Sequence, residues 1–143
     1  MYKVKTGILL LSILYSSLAM SSEARKNVKI KITAGNKVAI AMLDDNPTSN
    51  DFAKRLPLTI ELTDYSSTEK IHYLSSKLSV KDAPPGMTPS RGDITYYSPW
   101  GNLAVFYKGF SYSSGLIKLG KIESGLDILN GDRPITAKFE VIE

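Results

Sequence analysis

The chain has 143 residues, 18 basic and 14 acidic side chains, one histidine and no cysteine. Disulfides and cysteine-ligated zinc are therefore excluded, and stability must come from an ordinary apolar core, which one domain of this length can build. A balance this close to neutral also excludes the electrostatic footprint of a nucleic-acid-binding protein.

At the N-terminus, Lys3 and Lys5 precede the apolar run Ile8–Leu14, and Ser17-Leu18-Ala19 places small residues where a signal peptidase reads them. This is the pattern of a secretory signal peptide over residues 1–19, cut after Ala19, with Ala24 as the alternative. The apolar run is too short for a comfortable permanent membrane span, and no cysteine follows it to carry a lipid anchor. Cleavage would leave 124 residues with a net charge of +2. The expected location is periplasmic or secreted, with a folded domain over residues 27–143.

From Asn27 to Thr33, Val28, Ile30 and Ile32 alternate with Lys29, Lys31 and Thr33, the pattern of a half-buried strand with solvent-facing lysines. Gly35-Asn36 reverses the chain, and Val38, Ile40 and Met42 resume the alternation, giving a hairpin over Val28–Leu43. Asn46 then offers an N-cap and Pro47 a first helical residue, with Phe52, Ala53 and Leu56 on the apolar face. Pro57 stops that helix. The neighbouring Asp44-Asp45 pair lacks further ligands nearby in sequence and reads as a solvated turn rather than a metal site.

Leu58, Ile60 and Leu62 alternate as a third strand. Glu69 to Leu78 reads as irregular with one short strand or turn, and Lys81 to Arg91 is a loop containing Pro84-Pro85-Gly86. Arg91-Gly92-Asp93 matches an adhesion tripeptide, but it leads straight into a strand and reads as a turn. Gly92–Lys108 forms two strands joined by Pro99-Trp100-Gly101-Asn102. Leu116, Ile117 and Leu119 belong to another strand, Ser124–Leu129 to a short helix ended by Gly131, and Ile135–Val141 to a final strand. Seven or eight short strands without a long helix suggest a barrel or sandwich.

Most catalytic templates fail on this sequence. His72 alone cannot build a histidine-rich zinc site, and it falls in a polar stretch with no nucleophile elbow. Gly109-Phe110-Ser111-Tyr112-Ser113 misses G-x-S-x-G at its last position. Gly115–Lys121 imitates a phosphate loop, yet Ile122 stands where Ser or Thr must hold magnesium, and the residues between are strand-like. No metal or cofactor is expected. What remains is aromatic: Tyr96, Tyr97, Trp100, Phe106, Tyr107, Phe110 and Tyr112 are seven of the eleven aromatics that follow the signal peptide. Alternation divides them between two faces, and Trp100, in its turn, is placed to present a flat, partly wet surface to a ligand.

The order of these elements resembles the cyclophilin-like fold. The hairpin followed by Asn46-Pro47-Thr48 and the Phe52 helix resembles the start of a cyclophilin. Leu119-Gly120-Lys121-Ile122-Glu123-Ser124-Gly125-Leu126-Asp127-Ile128 is similar to a run near the cyclophilin C-terminus. Gly92-Asp93-Ile94-Thr95-Tyr96-Tyr97 with Trp100-Gly101-Asn102 and Phe106-Tyr107 looks like the compact bacterial cyclophilin-like proteins of unassigned function. The resemblance implies a mainly β fold, a closed eight-stranded barrel with two short helices and a groove on one outer face.

In cyclophilins that groove takes a proline ring while an arginine stabilises the twisted amide against a barrier of about 18–20 kcal/mol. The arginine lies in a Phe-His-Arg run after the first helix, where this chain has Leu58-Thr59-Ile60-Glu61-Leu62. The Gln-Gly-Gly-Asp run is also absent, Leu116 falls at a histidine position, and Tyr112 at an apolar one. Arg55 and Arg91 miss the catalytic position. With the catalytic arginine gone, the resemblance implies a monomeric, non-catalytic binding module whose groove of Tyr97, Trp100, Phe106, Tyr112 and Leu116 holds a small molecule or short peptide. The alternative is a prolyl isomerase using another donor, Arg55 or a tyrosine hydroxyl; a structural envelope protein would instead show a tightly packed groove.

Overall fold

A computed structural model describes residues 27–143; the signal-peptide assignment lies outside the described residues. Strands β1 (Val28–Ala34) and β2 (Lys37–Leu43) form the expected hairpin. Gly35, at φ +58°, supplies the positive dihedral that a two-residue hairpin turn demands. The inward face of β2 differs from the sequence expectation. Ala39, Ala41 and Leu43 are buried, whereas Val38 is 49% exposed. The turn fixes this: it pairs Ile32 with Ala39 and Ile30 with Ala41, and directly opposed residues share a face.

Helix α1 (Pro47–Lys54) begins as its sequence dictates, with the Asn46 side chain accepting from the Ser49 N–H. Asn46 Nδ2 also donates to the Lys118 carbonyl and Ser49 Oγ to that of Leu119, so the cap doubles as a clamp onto the barrel. Phe52 is fully buried and meets Phe139 edge-on at 6.1 Å between ring centroids.

The remaining strands are β3 (Leu58–Tyr65), β4 (Glu69–Tyr73), β5 (Gly86–Met87), β6 (Asp93–Tyr97), β7 (Asn102–Phe106), β8 (Ser113–Ser114), β9 (Leu116–Ser124) and β10 (Ile135–Val141). Eight of them close an antiparallel barrel in the order β1-β10-β3-β4-β7-β6-β9-β2, while β5 and β8 pair separately. Of the two expected helices, one is α-helical. The second is a single 3₁₀ turn, Leu126–Leu129, entered through Gly125 at φ +79°. It packs Ile128 and Leu129 against the end of the barrel opposite α1.

The short strand expected within Glu69–Leu78 is β4. Its inward position is taken by Lys70, so the apolar alternation that marks a strand points the other way. His72 lies in this strand, with Nδ1 2.9 Å from the Glu61 carbonyl oxygen. Asp93, the last residue of the adhesion-like tripeptide, is 3% exposed and accepts from the Ser90 N–H; it is a strand-start residue, not a displayed one. No helix among the described residues is long and apolar enough to cross a membrane.

Candidate functional site

Strand alternation puts a second apolar cluster on the outer surface of the barrel. Ile71 from β4, Ala104 and Phe106 from β7 and Leu116 from β9 are buried there, with Met87 and Tyr97 packed against them. Above this cluster lies a cavity of about 470 Å³. Ile71, Phe106 and Leu116 form its apolar base. Tyr65, Tyr97, Trp100 and Phe110 stand around it, and Ser113 and Ser114 of β8 edge it.

Trp100 projects from the Ser98–Gly101 turn, which is closed by the Gly101 N–H donating to the Tyr97 carbonyl and by Gly101 at φ +70°. Its ring is half exposed and touches two others edge-on: Tyr97 at 5.3 Å and Tyr65 at 5.8 Å. The geometry is the favoured T-shape, so the indole is held upright by two tyrosines rather than lying on the core.

Of the five residues singled out from sequence, Tyr97, Trp100, Phe106 and Leu116 come together here. Tyr112 lies outside the lining. It is 59% exposed, and its ring covers Gly86 of β5, a position whose missing side chain leaves room for it. Tyr65, Glu69, Ile71 and Asn102 were missed. The first three come from the β3–β4 hairpin, distant in sequence from the aromatic run, and only barrel closure brings them alongside.

Glu69 is the one charged side chain of the described lining, which holds no basic residue. Burial first, and then the nearby Asp64 carboxylate, push its carboxyl up to about 7. Asp64 itself faces the barrel interior. The Tyr107 hydroxyl, foremost, and the Lys70 ammonium hold it below the usual carboxylate range, against the opposing effect of burial. Tyr107 is correspondingly raised to about 12 by burial and by Asp64. Two adjacent carboxyls on opposite faces are thus driven apart in acidity. At the other end of the cavity, Asn102 is 2% exposed; its Nδ2 donates to the Leu103 carbonyl, while Oδ1 has no partner among the described residues.

A raised carboxyl binds its proton more tightly in the folded than in the unfolded chain. Glu69 therefore costs stability as pH rises from about 4.5 to about 7, with the cost fully present above that. Glu69→Gln is expected to raise the denaturation midpoint at pH 8 and to leave it nearly unchanged at pH 4. Equal shifts at both pH values would show that its ionisation is not opposed by the fold.

Arg55 lies away from this cavity. Its guanidinium donates to the Ser76 and Lys77 carbonyls and faces Asp51 at 3.5 Å, tying α1 to the loop after β4. No cluster of three or more metal-ligating side chains occurs among the described residues.

A closed eight-stranded antiparallel barrel with one α-helix and a cavity on its outer face is the cyclophilin-like fold. The Cyclophilin-like family matches residues 32–140, and the chain belongs to that family. Among solved structures, it is similar to the solution structure of the hypothetical protein AF2241 from Archaeoglobus fulgidus. The TM-score is 0.61 at 14% identity, covering 85% of this chain and 99% of that one, a likeness of fold. A search of curated proteins found no match.

Proposed function

We propose that this protein is an exported binding module whose outer cavity holds a small molecule or short peptide without catalysing its conversion. The observation that carries this reading is the cavity itself: an apolar base, an aromatic surround and no basic side chain in its described lining. Amide rotation is helped by a hydrogen-bond donor, an arginine in cyclophilins, and Arg55 here is committed to two loop carbonyls. A cavity of about 470 Å³ falls within the range of small-ligand sites and argues against a packed, purely structural face. Export rests on the pattern of residues 1–19, and sequencing the N-terminus of the mature protein tests it.

Binding of a neutral aromatic probe, 2-phenylethanol, measured by calorimetry, is expected to weaken about tenfold in Trp100→Ala. That factor corresponds to about 1.4 kcal/mol, in keeping with the loss of a half-buried aromatic contact. Unchanged affinity would remove the site assignment. Turnover of Xaa-Pro peptides by the purified protein would overturn the non-catalytic part of the reading.

A further inference from the structure

The barrel register sets three side chains in a row across the outer face. Tyr65 of β3 is paired with Glu69 of β4, and Glu69 with Phe106 of β7. Directly opposed residues have Cβ atoms about 4.5–5.5 Å apart, so a carboxyl is flanked on both sides by aromatic rings. Four residues further along β7 stands Asn102, paired with Tyr97. That spacing places it about 13 Å from Phe106 along the strand.

We infer that the cavity selects a protonated amine, its ammonium held by Glu69 between Tyr65 and Phe106 and its apolar body lying over Phe106, Ile71 and Leu116. This rests on the binding reading above and names the ligand class. Three features favour a cation. The described lining has one acidic and no basic side chain, so its net charge opposes an anion and favours a cation. Aromatic faces attract ammonium groups through their quadrupole, most strongly where water is excluded. The charged group that the cavity offers, the Glu69 carboxylate, is a hydrogen-bond acceptor, which an ammonium donor complements.

Binding also acquires a pH dependence of definite sign. The titratable groups on the strands around Glu69 are Asp64 and Tyr65 from β3, Lys70 beside it on β4, Tyr107 and Lys108 after β7, and Tyr97 from β6. Asp64 already carries its charge, paired with Lys70, and Tyr107 is raised to about 12, which leaves Glu69 itself to change state near neutrality. With its carboxyl at about 7, the ionised fraction falls about tenfold between pH 8 and pH 6. An amine of ordinary basicity stays protonated throughout that interval.

The test uses the fluorescence of Trp100, the single tryptophan of the chain, with calorimetry as a second readout. The probes are phenethylammonium, its neutral isostere 2-phenylethanol and the anion 3-phenylpropionate. At pH 8 the ammonium is expected to bind at least about tenfold tighter than the alcohol, and to lose about tenfold on going to pH 6. Glu69→Gln should abolish both the preference and the pH dependence, and its nearly unchanged denaturation midpoint at pH 4 reports that the variant is folded. A tripeptide with a free N-terminus, compared with its acetylated form, distinguishes a peptide amine from a small one. Binding of the carboxylate as tightly as the ammonium, or a preference that survives Glu69→Gln, overturns the inference. Trp100-dependent alcohol binding without any amine preference would sink this inference alone. Absence of binding by every probe would sink the binding reading with it.

Discussion

Gly120→Ala is expected to destabilise the protein by at least about 3 kcal/mol, read from the midpoint of chemical denaturation. Gly120 lies in β9 opposite Leu43 of β2 on one side and Ile94 of β6 on the other. A Cβ placed there would overlap the Met42 carbonyl oxygen and lie 2.8 Å from Leu43 Cα. Both are backbone atoms, so no rotamer change relieves the clash. The seam between β2 and β9 would have to open, breaking the ladder that closes the barrel. Gly109→Ala is the control: its Cβ would meet only the Pro89 carbonyl oxygen at 3.7 Å, an ordinary contact. Its expected cost is below about 1 kcal/mol. Similar losses in the two variants would refute the close-approach account of Gly120. The same account explains a false signal. The glycines of the phosphate-loop lookalike serve strand packing: Gly120 admits β2, and Gly115, at φ +82°, lies under Pro99.

Lys70→Ala should cost about 3–5 kcal/mol, the range for breaking a buried ion pair from one side. Lys70 is fully buried, its ammonium donating to Asp64 at 3.2 Å and to the Gly131 carbonyl, and standing 5.3 Å from the Tyr107 ring centroid. Truncation removes the cation and leaves Asp64 with Tyr107 as its remaining side-chain donor. The double variant Lys70→Met, Asp64→Leu should recover much of the loss, because an apolar pair of similar volume needs no compensating charge. A cost below about 1 kcal/mol in Lys70→Ala would show that the pair is effectively solvated. The acid side follows the usual carboxylate sign. Asp64 is held below its unfolded value of 3.8, so its contribution is present above that pH and is lost as pH falls through the lower folded value.

Lys70 also shows where sequence reading reaches its limit. Period-2 alternation revealed β1, β3 and β10 because their inward residues are apolar and their outward ones polar. In β4 the order is reversed, with a lysine inside and Ile71 facing the outer cavity, so the pattern carries the wrong sign. In β2 the larger apolar side chains Val38, Ile40 and Met42 point outward, and small alanines fill the interior opposite Ile30 and Ile32. Periodicity alone could not choose the face; the turn register could. Four of the five anticipated cavity residues lie in or next to the β6–β7 hairpin and β9, where local sequence says most. Tyr65 and Glu69 reach the same cavity through the β4–β7 pairing, a non-local contact that no short window contains. Tyr112 was legible as aromatic, but its position depended on Gly86 in a two-residue strand without any periodic signal.

Barrel closure has a consequence for the order of events during synthesis. The final strand, β10, lies between β1 and β3, so it bridges the first strand and the third. Until it leaves the ribosome, both neighbours present unpaired ladder edges and Phe52 lacks its Phe139 partner. At roughly 5–20 residues per second, translation of the chain occupies on the order of ten seconds. Folding of a sheet with such distant pairings then takes milliseconds to seconds. The native barrel therefore forms only after its last strand has been made, and the nascent chain stays open for most of its time on the ribosome.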